Sequence, residues 1–133
     1  MNPDEQALEA RFREAFDLKS NQVLTLNKPS TTPDKNKPWV RFSVSLGNRG
    51  RLTNGENPTQ LQLGGVYLQV FVPKSLGSNG GDALIEKFDK LFTDWRSPDG
   101  ALQIGNMDRN YSENPDSYQH TIRFAFSSQR SRG

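Results

Sequence analysis

Alternation with a period of two is clearest from Trp39 to Leu46, where Val40, Phe42, Val44 and Leu46 are separated by Arg41, Ser43 and Ser45. This spacing predicts a strand with one buried and one polar face. The same period returns from Tyr118 to Phe126, with His120, Ile122, Phe124 and Phe126 set against Gln119, Thr121, Arg123 and Ala125. A third strand is expected from Gln60 to Pro73. Its aliphatic residues change parity, from Leu61 and Leu63 to Val66, Leu68, Val70 and Val72, across Gly64 and Gly65. A one-residue shift of this kind predicts a β-bulge at the two glycines. Tyr67, Gln69 and Phe71 take the other face, which is therefore expected to be covered by a second helix or by a neighbouring subunit.

Two segments follow a helical period. Asn2, Pro3, Asp4 and Glu5 read as an Asx cap, a proline at the first helical position and acids in the first turn. The stripe of Leu8, Phe12, Ala15 and Phe16 predicts that this helix continues to about Lys19, with Glu9 and Arg13 paired on its outer side. Asp82 is expected to cap a second helix reaching about Trp95, whose stripe is Leu84, Ile85, Phe88, Leu91, Phe92 and Trp95. Gln22 to Leu26 and Ala101 to Met107 read as short strands. Asn27 to Pro38, Gly47 to Thr59 and Asp108 to Ser117 read as loops, and Ser127 to Gly133 as a mobile polar tail. The order is α-β-β-β-α-β-β. It predicts a single α+β domain over residues 1–127, a mainly antiparallel mixed sheet of four to five strands flanked by two helices, followed by the tail at 128–133.

Composition narrows the chemistry. The 133 residues hold 32% hydrophobic side chains and eight Phe, which suits one small aromatic core. With no Cys and one His, thiolate zinc sites, disulfides and cysteine nucleophiles are excluded, and an intracellular or redox-indifferent setting is expected. The polar, acidic N-terminus and the lack of a long apolar run predict a soluble protein without a signal peptide or membrane span. His120 shares parity with the apolar residues of its strand and reads as structural, and no G-x-S-x-G elbow is present. Asp108, Asn110, Glu113 and Asp116 lack the spacing of a calcium loop. Gly77 to Gly81 lacks a phosphate-loop ending, and Asp82 would occupy the positive helix end. No catalytic residue, metal or cofactor is expected, and the chain does not read as an enzyme.

The net charge of +2 conceals a local excess. Residues 21–60 hold six basic groups, Lys28, Lys35, Lys37, Arg41, Arg49 and Arg51, against Asp34 and Glu56. Two arginines in a long glycine-containing connection, Arg49 and Arg51, suit docking on a partner's carboxylates or facing a polyanion. Together with Arg41, Tyr67, Gln69 and Phe71 they form the candidate interface. The same aromatics and basic loops also suit a single-stranded nucleic-acid binder.

The runs Trp39-Val-Arg-Phe-Ser-Val, Gly64-Gly-Val-Tyr-Leu-Gln-Val-Phe-Val-Pro and Gly81-Asp-Ala-Leu-Ile-Glu-Lys-Phe-Asp-Lys-Leu-Phe, in this order and joined by a polar loop and a glycine-rich turn, are distinctive together. With the N-terminal helix at Arg11-Phe12 and the closing strand, they resemble the tail-terminator-like proteins of long-tailed (siphovirus and myovirus) bacteriophages. The resemblance covers roughly residues 5–127. It implies a structural virion protein that forms a homohexameric ring at the head-proximal end of the tail tube. Such a protein ends tube polymerisation and docks the head-completion (neck) proteins. The partners implied are other copies of the chain, the tail tube protein, a neck protein and non-specific contact with DNA in the lumen, with no membrane. The implied location is the virion, by way of the host cytoplasm during assembly. Another neck or head-completion component is the alternative within the same class.

Overall fold

Asn2 begins the first helix as its sequence suggests: its side-chain oxygen accepts the backbone N–H of Asp4 at 2.7 Å and of Glu5 at 3.4 Å. A computed structural model describes residues 2–25, 32–51 and 59–131, except for the side chains of Arg49, Arg51, Ser78 and Ser131. Its elements are α1 (Pro3–Arg13), β1 (Val23–Thr25), β2 (Trp39–Arg51), β3 (Thr59–Pro73), two short 3-10 turns (Lys74–Leu76 and Ser78–Gly81), α2 (Asp82–Phe92), β4 (Leu102–Glu113) and β5 (Ser117–Ser131). The five strands form one sheet in the order β1-β2-β3-β5-β4. Only β1 and β2 are parallel. The chain is an α+β protein with a mixed, mainly antiparallel sheet.

Even-numbered residues of β2, β3 and β5 share one face. Val66 pairs with Val44 and Phe124, Leu68 with Phe42 and Ile122, and Val70 with Val40 and His120. Both helices lie on this face. Phe12 of α1 stacks between Phe16 and Phe42, at 4.4 and 4.1 Å between ring centres, and meets Phe88 of α2 edge-on. Phe88 and Phe92 in turn pack on Phe124. Stacked and tilted phenylalanine rings therefore form the centre of the contact between helices and sheet, which helps a chain with few apolar residues to fill a core. Arg11 joins the helices by donating Nε–H to the Leu91 carbonyl at 2.8 Å, near the end of α2 where carbonyls lack helical partners.

Several boundaries differ from the sequence expectations. Helix α1 ends at Arg13, and the chain turns so that Phe16 folds back onto Phe12. Helix α2 ends at Phe92 and is preceded by Gly81, so Asp82 lies in its first turn and does not cap it. The glycines before it serve close packing: a Cβ at Gly81 would stand 2.8 Å from Val70 and Val72. The connection expected over Gly47 to Thr59 is shorter, because 47–51 belong to β2 and 59 to β3; residues 52–58 lie outside the described residues. Leu26 and residues 27–31 of the expected 27–38 loop also lie outside them. The loop expected over Asp108 to Ser117 is mostly strand, with a turn at 114–116. The mobile tail expected after Ser127 is the end of β5, paired with Thr59 to Leu63 as far as Ser131.

The predicted bulge is on the other strand. Pairing of β3 with β5 runs without a break from Thr59 to Pro73, and the irregularity falls in β2 between Leu46 and Arg49. Gln62, which is buried, donates Nε2–H to the carbonyls of Gly47, Asn48 and Leu63 and so satisfies the groups the bulge leaves over. Gly64 and Gly65 instead make room on the two faces. A Cβ at Gly64 would enter the Phe126 ring at 2.6 Å, and one at Gly65 would meet Arg123 Nε at 2.8 Å. Leu61 and Leu63 consequently stay on the face opposite the helices, where Leu63 is exposed.

Candidate functional site

The odd-numbered face of the sheet carries most of the predicted interface. Read across the strands, its rows are Trp39, Phe71 and Gln119; Arg41, Gln69 and Thr121; Ser43, Tyr67, Arg123 and Asp108; and Ser45, Gly65 and Ala125. Successive rows are about 7 Å apart along the strands. No helix of the described residues packs here, and none of the large side chains on this face is buried.

The side chains support one another laterally. Trp39 and Phe71 stack at 3.9 Å with 11° between their planes. The Arg41 guanidinium lies 6.0 and 5.9 Å from the two ring centres, within cation–π range. In the third row Arg123 donates Nε–H to the Tyr67 hydroxyl at 3.1 Å, lies 5.7 Å from the Tyr67 ring and approaches Asp108 at 3.8 Å. Gly65 leaves the space across which this guanidinium lies. The face is rich in aromatic rings and arginine held by one another, and is therefore of the type that fills the centre of protein interfaces.

Arg41, Tyr67, Gln69 and Phe71 thus come together on one face of the sheet. Arg49 and Arg51 do not join them. Their backbones pair with Gln62 and Gln60 near the far end of β2, eight or more residues from Arg41, or roughly 26 Å along a strand, and beyond the bulge that interrupts the alternation. Trp39 and Arg123 belong to the face and are absent from the candidate list. Both were marked by parity, since Trp39 precedes Arg41 by two residues and Arg123 opposes the apolar residues of its strand.

At the Trp39 end the face opens into a cleft of about 710 Å³ whose walls include Lys35, Trp39, Phe71, Lys74 and Asp116. Lys74 is held by Glu113 at 3.0 Å and lies 4.2 Å from the Tyr118 ring. The hydrogen bond from Lys74 keeps the Glu113 carboxyl below its ordinary pKa and raises that of Lys74, so neither group is tuned as a base or a nucleophile near neutrality. The oxygen donors considered for a cation are dispersed: Asp108 faces Arg123, and Glu113 faces Lys74. Among the described residues no cluster of three or more His, Cys, Asp or Glu is placed to hold a metal, and no helix is long and apolar enough to cross a membrane. His120 is buried in β5 with its ring 5.1 Å from that of Tyr111.

No protein-family model matches the chain, and no curated protein matches it by sequence. A solved structure is similar in fold, with a TM-score of 0.63 over 99% of this chain and 100% of that one, at 14% sequence identity. At this identity the likeness concerns the fold, and it extends over the whole chain.

Proposed function

We propose that the protein is a structural subunit of a phage tail terminator, acting by assembly into a ring that caps the head-proximal end of the tail tube and presents a docking surface to neck proteins. The observation that supports this reading is the sheet face of Trp39, Arg41, Tyr67, Phe71 and Arg123, which no helix of the described residues covers. In a ring each subunit offers two different surfaces that meet head to tail. This face is one of them, and its stacked rings and guanidinium groups are ordered before the neighbour arrives, which lowers the entropic cost of association. The sequence resemblance supplies the identity of the assembly, and the face supplies a physical means of joining it.

The test combines assembly with phenotype. Purified protein, alone and with tail tubes, is examined by light scattering and negative-stain microscopy. Rings or capped tubes are expected, with Arg41→Glu and Trp39→Ala reducing assembly while the thermal melt changes little. A phage lacking the gene should make overlong tails. A species that stays monomeric at all concentrations and does not bind tubes overturns the reading. Tails of normal length in the knockout would assign the chain to another position in the neck.

A further inference from the structure

β4 is the edge of the sheet, and only its first part is protected. Ser97 N–H donates to the Leu102 carbonyl at 3.0 Å, Ile104 N–H donates to the Trp95 carbonyl at 3.1 Å, and Arg96 forms an isolated bridge with Gln103. From Gly105 to Glu113 no described segment bonds to the outer edge, and every residue there is exposed. This stretch contains no Pro and no Lys, two residues with which open edges are commonly blocked. Tyr111 and Met107 are among the most exposed large apolar side chains of the molecule, at 52% and 42%.

The stretch is also complementary to itself. Arg109, Tyr111 and Glu113 pair with Ile122, His120 and Tyr118 of β5 and so share one face of β4. When two copies run antiparallel about a two-fold axis through Tyr111, Arg109 of each falls opposite Glu113 of the other, Asn110 opposite Ser112, and the two Tyr111 rings meet on the axis. Opposite charges and aromatic pairs facing each other across strands are the favourable combinations. Arg109 makes no ion pair among the described residues. Glu113 accepts both of its hydrogen bonds, from Lys74 and Tyr111, on Oε2, which leaves Oε1 for an incoming guanidinium.

We infer that the open half of β4 is a docking edge for a second copy of this chain, joined to it antiparallel with Tyr111 on the two-fold axis. The contact extends the sheet across two molecules and uses the edge, so it is independent of the sheet face proposed for ring assembly.

The native chain has no cysteine, which permits a register-specific test. Directly opposed residues of antiparallel strands have Cα atoms about 4.5 to 5.5 Å apart, within disulfide range. Tyr111→Cys should give a disulfide-linked dimer on mild oxidation. Met107→Cys, also exposed but roughly 27 Å from its own copy in this register, should remain monomeric under the same conditions. Arg109→Glu in the otherwise native chain should weaken dimerisation by roughly tenfold in sedimentation experiments, because both symmetry-related pairs become repulsive. Failure of Tyr111→Cys to cross-link, equal cross-linking at position 107, or association indifferent to Arg109→Glu overturns the inference.

Discussion

Replacing Asp4 by Ala should cost far more than an ordinary change in a first helical turn. Asp4 is 3% exposed and accepts three hydrogen bonds, from Ser128 Oγ at 2.6 Å and from Arg130 Nε and Nη2 at 3.1 and 3.0 Å. Removing the carboxylate leaves a buried hydroxyl without its acceptor and a guanidinium with Asp99 as its remaining partner, 2.7 Å from Nη1. Breaking a buried ion pair from one side costs about 3–5 kcal/mol. Arg130 is 29% exposed and keeps Asp99, so about 2–4 kcal/mol is expected here. At an unfolding entropy of about 2.1 cal/mol/K per residue, this lowers the melting temperature by roughly 7–14 °C. Urea unfolding followed by circular dichroism measures the change. A cycle with Arg130→Met separates the pair from the helix-dipole contribution of Asp4, which is about 0.3–1 kcal/mol. The reasoning fails if Asp4→Ala lies within about 0.5 kcal/mol of the parent, or if the double variant is additive.

Three further outcomes are expected from the contacts of Gly64, Asp99 and the end of β5. Gly64→Ala should destabilise by about 1–3 kcal/mol in urea unfolding, because its Cβ would meet both the Ser45 carbonyl oxygen and the Phe126 ring. Acid should weaken the fold. The Ser97 hydroxyl, the Ala101 N–H and Arg130 hold the Asp99 carboxyl well below its ordinary pKa, and the hydrogen bond from Lys74 lowers that of Glu113. A lowered folded pKa gives stability that is present above the unfolded value and lost as pH falls, so melting temperatures should decline between about pH 5 and pH 2, less steeply in Asp99→Asn. Deleting residues 128–133 should destabilise more than Asp4→Ala, since it removes both Ser128 and Arg130 together with strand pairing to Thr59 through Gln62; an unchanged melt would restore the reading of this segment as a tail.

The parts of the fold legible in the sequence are those the helices cover. Val40, Phe42, Val66 to Val72 and Ile122 to Phe126 alternate because one side of each strand meets aromatic rings from α1 and α2. Beyond the reach of the helices the alternation disappears. Asp108 to Glu113 is exposed on both faces, and the end of β2 reads as a polar loop because little apolar surface is buried there. These stretches are strands because a neighbouring strand supplies hydrogen bonds, a cause that local periodicity does not record. The glycine pair was legible as an exception but not in its meaning, since the rings and guanidinium that require it come from β5. For the candidate face, parity gathered Arg41, Tyr67, Gln69 and Phe71. Arg49 and Arg51 were grouped with them by charge, and the β2 bulge, anchored by Gln62, separates them.

The position of β5 has a consequence for how the chain is made. β5 leaves the ribosome after the other four strands of the sheet, yet it lies between β3 and β4. Until it emerges, β3 has one unpaired edge along its whole length and β4 has no partner in the sheet. Asp4 waits for Arg130, 126 positions later. Such long-range closure slows folding and prolongs the exposure of Val66, Leu68, Val70 and Val72. The sheet therefore stays incomplete while β5 is awaited, and the yield of soluble chain should depend on how quickly this fifteen-residue strand is delivered.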